Sequence, residues 1–126
     1  MDTLLIEQTE DSPRVVLDPV DKLFEISGKS LPEDVLEFYQ PVLDWLNAYR
    51  KEPVAETKFN VRLIYFNTAS SKMLLDVMEA FAIAAENGSK VEIEWHFLNV
   101  DEDMQEAGEG YAEIVDIPFK FMPYSK

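Results

Sequence analysis

The residues best suited to chemistry lie together in "YFNTASSK", Tyr65 to Lys72, where Thr68, Ser70 and Ser71 place three hydroxyls within four positions. A hydroxyl in such a place can attack a substrate, cap a helix or accept a phosphoryl group. The first role finds no support. The octet lacks the GxSxG spacing of a nucleophile elbow, and the single histidine, His96, alternates with Glu92 and Glu94 away from the apolar positions of its segment. His96 is therefore expected to be an ordinary surface residue, which leaves neither a His-based triad nor a histidine zinc site. The chain has no cysteine, so thiolate nucleophiles, thiolate metal sites and disulfides are excluded. Its four glycines, at 28, 88, 108 and 110, are too scattered to cradle a phosphate. "NVDED" (99–103) is dense in acids but lacks the glycine of a calcium loop, and Ala112 stands where the closing glutamate belongs. Asp101, Asp103 and Glu106 are the ligands that an alternative, metal- or small-ligand-binding reading would use. No cofactor and no enzymatic activity are expected.

Charge narrows the partners. Eleven basic against 25 acidic residues leave a formal charge of −14, which repels nucleic acid and anionic membranes. From Val91 to Phe119 there are nine acids and no Lys or Arg, a block that either faces water or attracts a basic surface. No run approaches the roughly 18 apolar residues that span a bilayer. "MDTLLIEQTEDSP" has no basic region before its short apolar stretch, so a cytoplasmic protein without a secretory leader is expected. In that setting "NGS" (87–89) reads as a helix stop rather than a glycosylation site.

The elements that must position the octet follow from periodicity. "TLLIEQ" (3–8) predicts a short strand, and "RVVLD" (14–18) with "KLFEIS" (22–27) predicts a hairpin around "DPVD". "SLPE" suggests Ser30 as N-cap, with Pro32 in the first turn and Glu33 completing a capping box. The helix that follows, to about Lys51, collects Val35, Phe38, Tyr39, Val42, Leu46 and Tyr49 on one face and turns Pro41 to the polar side. "TKFNVRLIYFN" (57–67) predicts a strand with Phe59, Val61, Leu63 and Tyr65 inward. Its second face turns from polar to apolar, as in a central strand that becomes covered. A second helix over about 70–86 stops at "NG". "KVEIEWHFLN" (90–99) reads as a strand with Val91, Ile93, Trp95 and Phe97 inward, an acidic helix covers about 101–115, and "PFKFMPY" adds an edge strand. Strand, helix, strand in the middle predicts parallel pairing through a right-handed crossover. The expected fold is α/β, a single domain over residues 1–126 with helices packed on a mixed sheet.

Thr68 then falls at or just before the start of the second helix, after the carboxyl end of a central strand. That is the edge where α/β sheets expose functional loops, and a helix start offers unpaired N–H groups that welcome an anion. Capping needs one hydroxyl, and Asn67 is a competent cap as well. A phosphate on Thr68 would add about −1.5 to −2 charge. Beside those amides it should leave the helix intact, so its effect must fall on whatever binds there. The reading is a binding switch, with Asn67, Ser70, Ser71 and Lys72 shaping the recognition surface. On the helix itself Leu74, Val77, Met78, Phe81 and Ala85 form the core face, while Lys72, Asp76, Glu79 and Glu86 lie opposite. Leu75 and Ile83 fall among those charges and are further partner-binding candidates.

Three stretches, "GKSLPEDVLEFYQPVLDWLNAY" (28–49), "YFNTASSK" (65–72) and "DEDMQEAGEGYAEIVDIPF" (101–119), resemble the SiaC family of bacterial regulatory phosphoproteins in content, order and spacing. The resemblance implies a non-enzymatic partner switch whose phosphoacceptor, the threonine of "FNT", is Thr68. It implies a dedicated kinase, a metal-dependent Ser/Thr phosphatase and an effector, a GGDEF diguanylate cyclase, which the unmodified form activates to make cyclic di-GMP in biofilm and aggregation control. It also implies a STAS-like fold, similar to anti-sigma-factor antagonists, with control of a sigma-factor circuit as the alternative that analogy offers. Ala69 stands where the family commonly has serine, and "HFLNV" (96–100) is less acidic than usual.

Overall fold

The computed structural model describes residues 1–126. Its elements are β1 (Leu4–Ile6), β2 (Arg14–Asp18), β3 (Leu23–Ser30), α1 (Val35–Tyr49), β4 (Glu56–Phe66), α2 (Thr68–Glu86), β5 (Lys90–Leu98), α3 (Glu102–Ile114) and β6 (Phe119–Tyr124). The six strands form one sheet in sequence order. β1, β2 and β3 pair antiparallel, as the hairpin pattern predicts, and β3 through β6 pair parallel with one helix in each crossover. The α/β class and the mixed sheet are thus as the periodicity indicates.

One core holds the layers together. Trp45 and Tyr49 of α1 pack on Phe24, and Phe81 of α2 packs on Phe24 and stacks on Phe59 with centroids 4.5 Å apart. Tyr111 of α3 packs on Trp95. These strand residues share one face of the sheet, so all three helices lie on that face. Gly108 lets α3 approach closely: a Cβ there would come within 2.6 Å of the Trp95 indole. That indole N–H donates to the Met104 carbonyl at 3.0 Å, which fixes the helix over β5.

The opposite face carries a polar ladder instead of a second helical layer. Arg62 pairs with Glu25 at 3.1 Å, Lys58 with Glu94 at 3.4 Å, and His96 Nε2 lies 3.2 Å from Asn60 Oδ1. β4 is central, but its second face is not covered as its sequence suggests. His96 is also not an ordinary surface residue, being only 7% exposed. β5 is paired on both sides, and side chains of the flanking strands enclose the ring although no helix lies above it. Burial, then the Arg62 charge, hold its pKa below the usual imidazole range, against the pull of Glu94.

Two further expectations need correction. Ser30 is not the cap of α1; it is the last residue of β3, paired with Phe66, and Asp34 caps the helix by accepting the Glu37 N–H at 3.1 Å. Strand pairing across 36 positions outweighs the local capping signal, so Pro32 and Glu33 precede the helix. Tyr65 does not continue the inward row. Gly28 pairs with Leu63 but Lys29 with Tyr65, so Ile64 is bulged out of the ladder and the alternation changes phase. Tyr65 is left 54% exposed, while Phe66 turns in, 6.4 Å from both Trp95 and Tyr111.

Candidate functional site

The parallel strands β3, β4 and β5 deliver the starts of α1, α2 and α3 to one edge of the sheet. At the middle helix Asn67 is the N-cap, its side-chain oxygen accepting the Ser70 N–H at 2.9 Å. Thr68 is the first helical residue, and both it and Ala69 are exposed. The first turn holds no acid, so the partial positive charge of the helix start is uncompensated there.

The three hydroxyls of the octet point to three different tasks. Ser70 is 0% exposed and donates its hydroxyl to the Ser30 carbonyl at 2.9 Å. It accepts in turn from the Ser30 hydroxyl at 2.9 Å, and Ser30 Oγ lies 2.6 Å from Tyr39 Oη. Each hydroxyl has one proton. With those of Ser70 and Ser30 already committed, Tyr39 is the donor to Ser30. Burial pushes the Tyr39 phenol up to about 12, so it keeps that proton throughout the physiological range. The Ser71 hydroxyl turns back to the Thr68 carbonyl at 2.7 Å, and Tyr111 Oη of α3 donates to the Ser71 carbonyl at 2.7 Å. Burial raises the Tyr111 pKa as well. Thr68 alone is both exposed and free of such a task.

The sites predicted from sequence separate accordingly. Asn67, Thr68, Ser71 and Lys72 share the solvent-facing start of α2, with Thr68 and Lys72 exposed and the other two half-buried. Ser70 is corrected: sealed beneath the surface by Ser30, it has no hydroxyl to present to a partner. Leu75 and Ile83 are half-buried rather than exposed, and Leu75 packs against the core. The alternative ligand set also fails to assemble. Asp101 caps α3 through the Met104 N–H at 3.0 Å, and no three His, Asp or Glu side chains are grouped to hold a metal ion. Sequence reading missed Ser30, Tyr39 and Tyr111 as parts of the site. The available signal was chemical: a tyrosine on a buried helix face needs a partner for its hydroxyl.

An exposed threonine at the head of a helix, with its neighbours locked from below, is suited to carrying an anion. The sequence pattern of the SiaC family of regulatory phosphoproteins matches residues 6–124. The chain belongs to the SiaC family. Apo-SiaC from Pseudomonas aeruginosa is similar over 97% of this chain and 99% of its own, with 26% identity and a TM-score of 0.86. SiaC in the crystal structure of the P. aeruginosa diguanylate cyclase SiaD with its activator SiaC matches over 96% and 99%, again at 26% identity, with a TM-score of 0.88. An uncharacterized protein of P. aeruginosa strain UCBPP-PA14 is 26% identical over 126 residues, the full length of both chains. The family resemblance and the α/β fold class expected from sequence are therefore upheld.

Proposed function

We propose that this SiaC-family chain is a non-enzymatic switch that, when unmodified at Thr68, binds and activates a diguanylate cyclase of GGDEF type. A cognate kinase phosphorylates Thr68 and ends the interaction; a metal-dependent Ser/Thr phosphatase restores it. The observation that carries this reading is the sorting of the octet: Thr68 is exposed at the first position of α2, while the Ser70 and Ser71 hydroxyls are bonded to backbone carbonyls. Similarity to a SiaC that is an activator of the cyclase SiaD supplies the partner class. The partner meets Thr68 together with Asn67, the half-buried edge of Ser71 and Lys72, in the cytoplasm.

The mechanism is steric and electrostatic. A phosphate at the helix start is stabilised by the free N–H groups and the helix dipole, so the fold persists. The partner must then accept a bulky dianion on a chain already at −14. Calorimetry of unmodified and phosphorylated protein against each GGDEF cyclase of the source organism tests this. Binding by the unmodified form, weakened tenfold or more (about 1.4 kcal/mol or more) by the phosphate, is the expected result. Equal affinity of the two forms, with circular dichroism unchanged, would refute it. Thr68→Ala should bind and activate like the unmodified protein while escaping control.

A further inference from the structure

Thr68 sits between two residues that hang from the same point on another strand. The Ser30 carbonyl accepts both the Asn67 N–H, at 3.2 Å, and the Ser70 hydroxyl, at 2.9 Å. The Ser30 side chain is held in turn by Tyr39 Oη at 2.6 Å. Ser30, Tyr39 and Ser70 are each 0% exposed. Tyr39 therefore has no surface to offer a kinase or a partner, yet its hydroxyl is the donor that closes the cluster.

The far end of α2 carries a matched arrangement. Tyr49, ten residues along α1, places its hydroxyl 2.7 Å from Thr57 Oγ1, which lies 2.8 Å from Ser89 Oγ just beyond the helix end. All three are buried. One helix thus grips both ends of the next through a tyrosine, a strand hydroxyl and a serine, but only the first grip lies under Thr68.

From this arrangement, and resting on the reading of Thr68 as phosphoacceptor, we infer that Tyr39 is a positioning residue for Thr68. Through Ser30 its hydroxyl pins Asn67 and Ser70 and holds the threonine between them in the orientation its modifying enzyme requires. Such a buried support can act strongly, because misplacing a reacting group by about 1 Å costs up to ~100-fold in rate.

The test compares wild type, Tyr39→Phe and Tyr49→Phe, two variants that each lose one buried phenolic hydroxyl. Amide hydrogen exchange at Ser70 and Ser71 is measured by NMR. The initial rate of ATP-dependent Thr68 phosphorylation in source-organism lysate is followed by mass spectrometry. In Tyr39→Phe the exchange should accelerate about 5- to 30-fold, the range that a lost bond of about 1–2 kcal/mol gives, and phosphorylation should slow about tenfold. Tyr49→Phe should match wild type in both. Ser30→Ala, which removes the hub hydroxyl, should reproduce Tyr39→Phe. Equal slowing in the two tyrosine variants, or wild-type phosphorylation in Tyr39→Phe, overturns the inference. If Thr68 of the wild type is never modified in the lysate, the acceptor reading itself fails. The exchange result then decides the pinning alone: acceleration confined to Tyr39→Phe upholds it, and unchanged exchange overturns it.

Discussion

The two ends of α2 are built from the same parts and present different surfaces. Each is tied to α1 by a buried tyrosine and to the sheet by a buried strand hydroxyl, with a serine closing each cluster. At the far end the chain leaves through Asn87 and through Gly88, whose φ of 105° suits glycine, and the cluster below only holds the packing. At the near end the cluster supports an exposed threonine beside uncompensated N–H groups. The lesson is that one packing device can carry different surfaces, an exposed threonine at one end and a helix exit at the other. In the switch proposed above, Thr68 would change its charge while Ser70, two positions on, is buried and bonded to Ser30 and keeps its place.

Several substitutions would break or sharpen that contrast. The largest effect is expected from placing a charge on the wrong hydroxyl. Ser70→Asp or Ser89→Asp should lose about 3–5 kcal/mol in urea unfolding, since each leaves an uncompensated carboxylate in the core. Thr68→Asp should stay within about 0.5 kcal/mol of wild type in the same measurement, as surface changes do. A tolerant Ser70→Asp would erase the distinction between the two hydroxyls. Next come Tyr39→Phe, which loses the bond to Ser30, and Tyr49→Phe, which loses the bond to Thr57 and the one accepted from the Val54 N–H at 3.3 Å, each expected to cost about 1–2 kcal/mol. Similar thermal shifts with different Thr68 phosphorylation would confirm that the grips are alike in energy and unlike in role. Removing the near cap by Asn67→Ala should cost about 1 kcal/mol; Gly88→Ala at the far end should cost a similar amount, because φ 105° strains a side-chain-bearing residue. The smallest effect belongs to Thr68→Ala, within about 0.5 kcal/mol in unfolding, with its consequence visible only in the loss of phosphorylation.

Much of this was open to sequence reading, for a local reason. Alternation and the 3.6-residue period report which face of an element is apolar, so β4, α2, β5 and α3 could be placed to within about two residues. The same signal put Thr68 at a helix start and turned Pro41 outward, where the structure has it exposed. Errors arose where a local signal competed with a distant partner. The "SLPE" pattern is a fair cap, but Ser30 gains more from pairing with Phe66 and from bonds to Tyr39 and Ser70. Tyr65 alternates correctly until the bulge at Ile64 reverses the phase, an irregularity that pairing with β3 creates.

What the sequence by itself determined was the order and character of the elements, the acidic surface and the hydroxyl-rich head of α2. These depend on spacing along the chain, where each residue type states its preference for water or for a backbone conformation. Which hydroxyl faces solvent was decided only by tertiary structure. Ser70 meets Ser30 across 40 positions, and Tyr111 meets Ser71 across another 40. Such contacts exist only once the sheet has brought those segments together, and no property of the octet alone could separate its three hydroxyls.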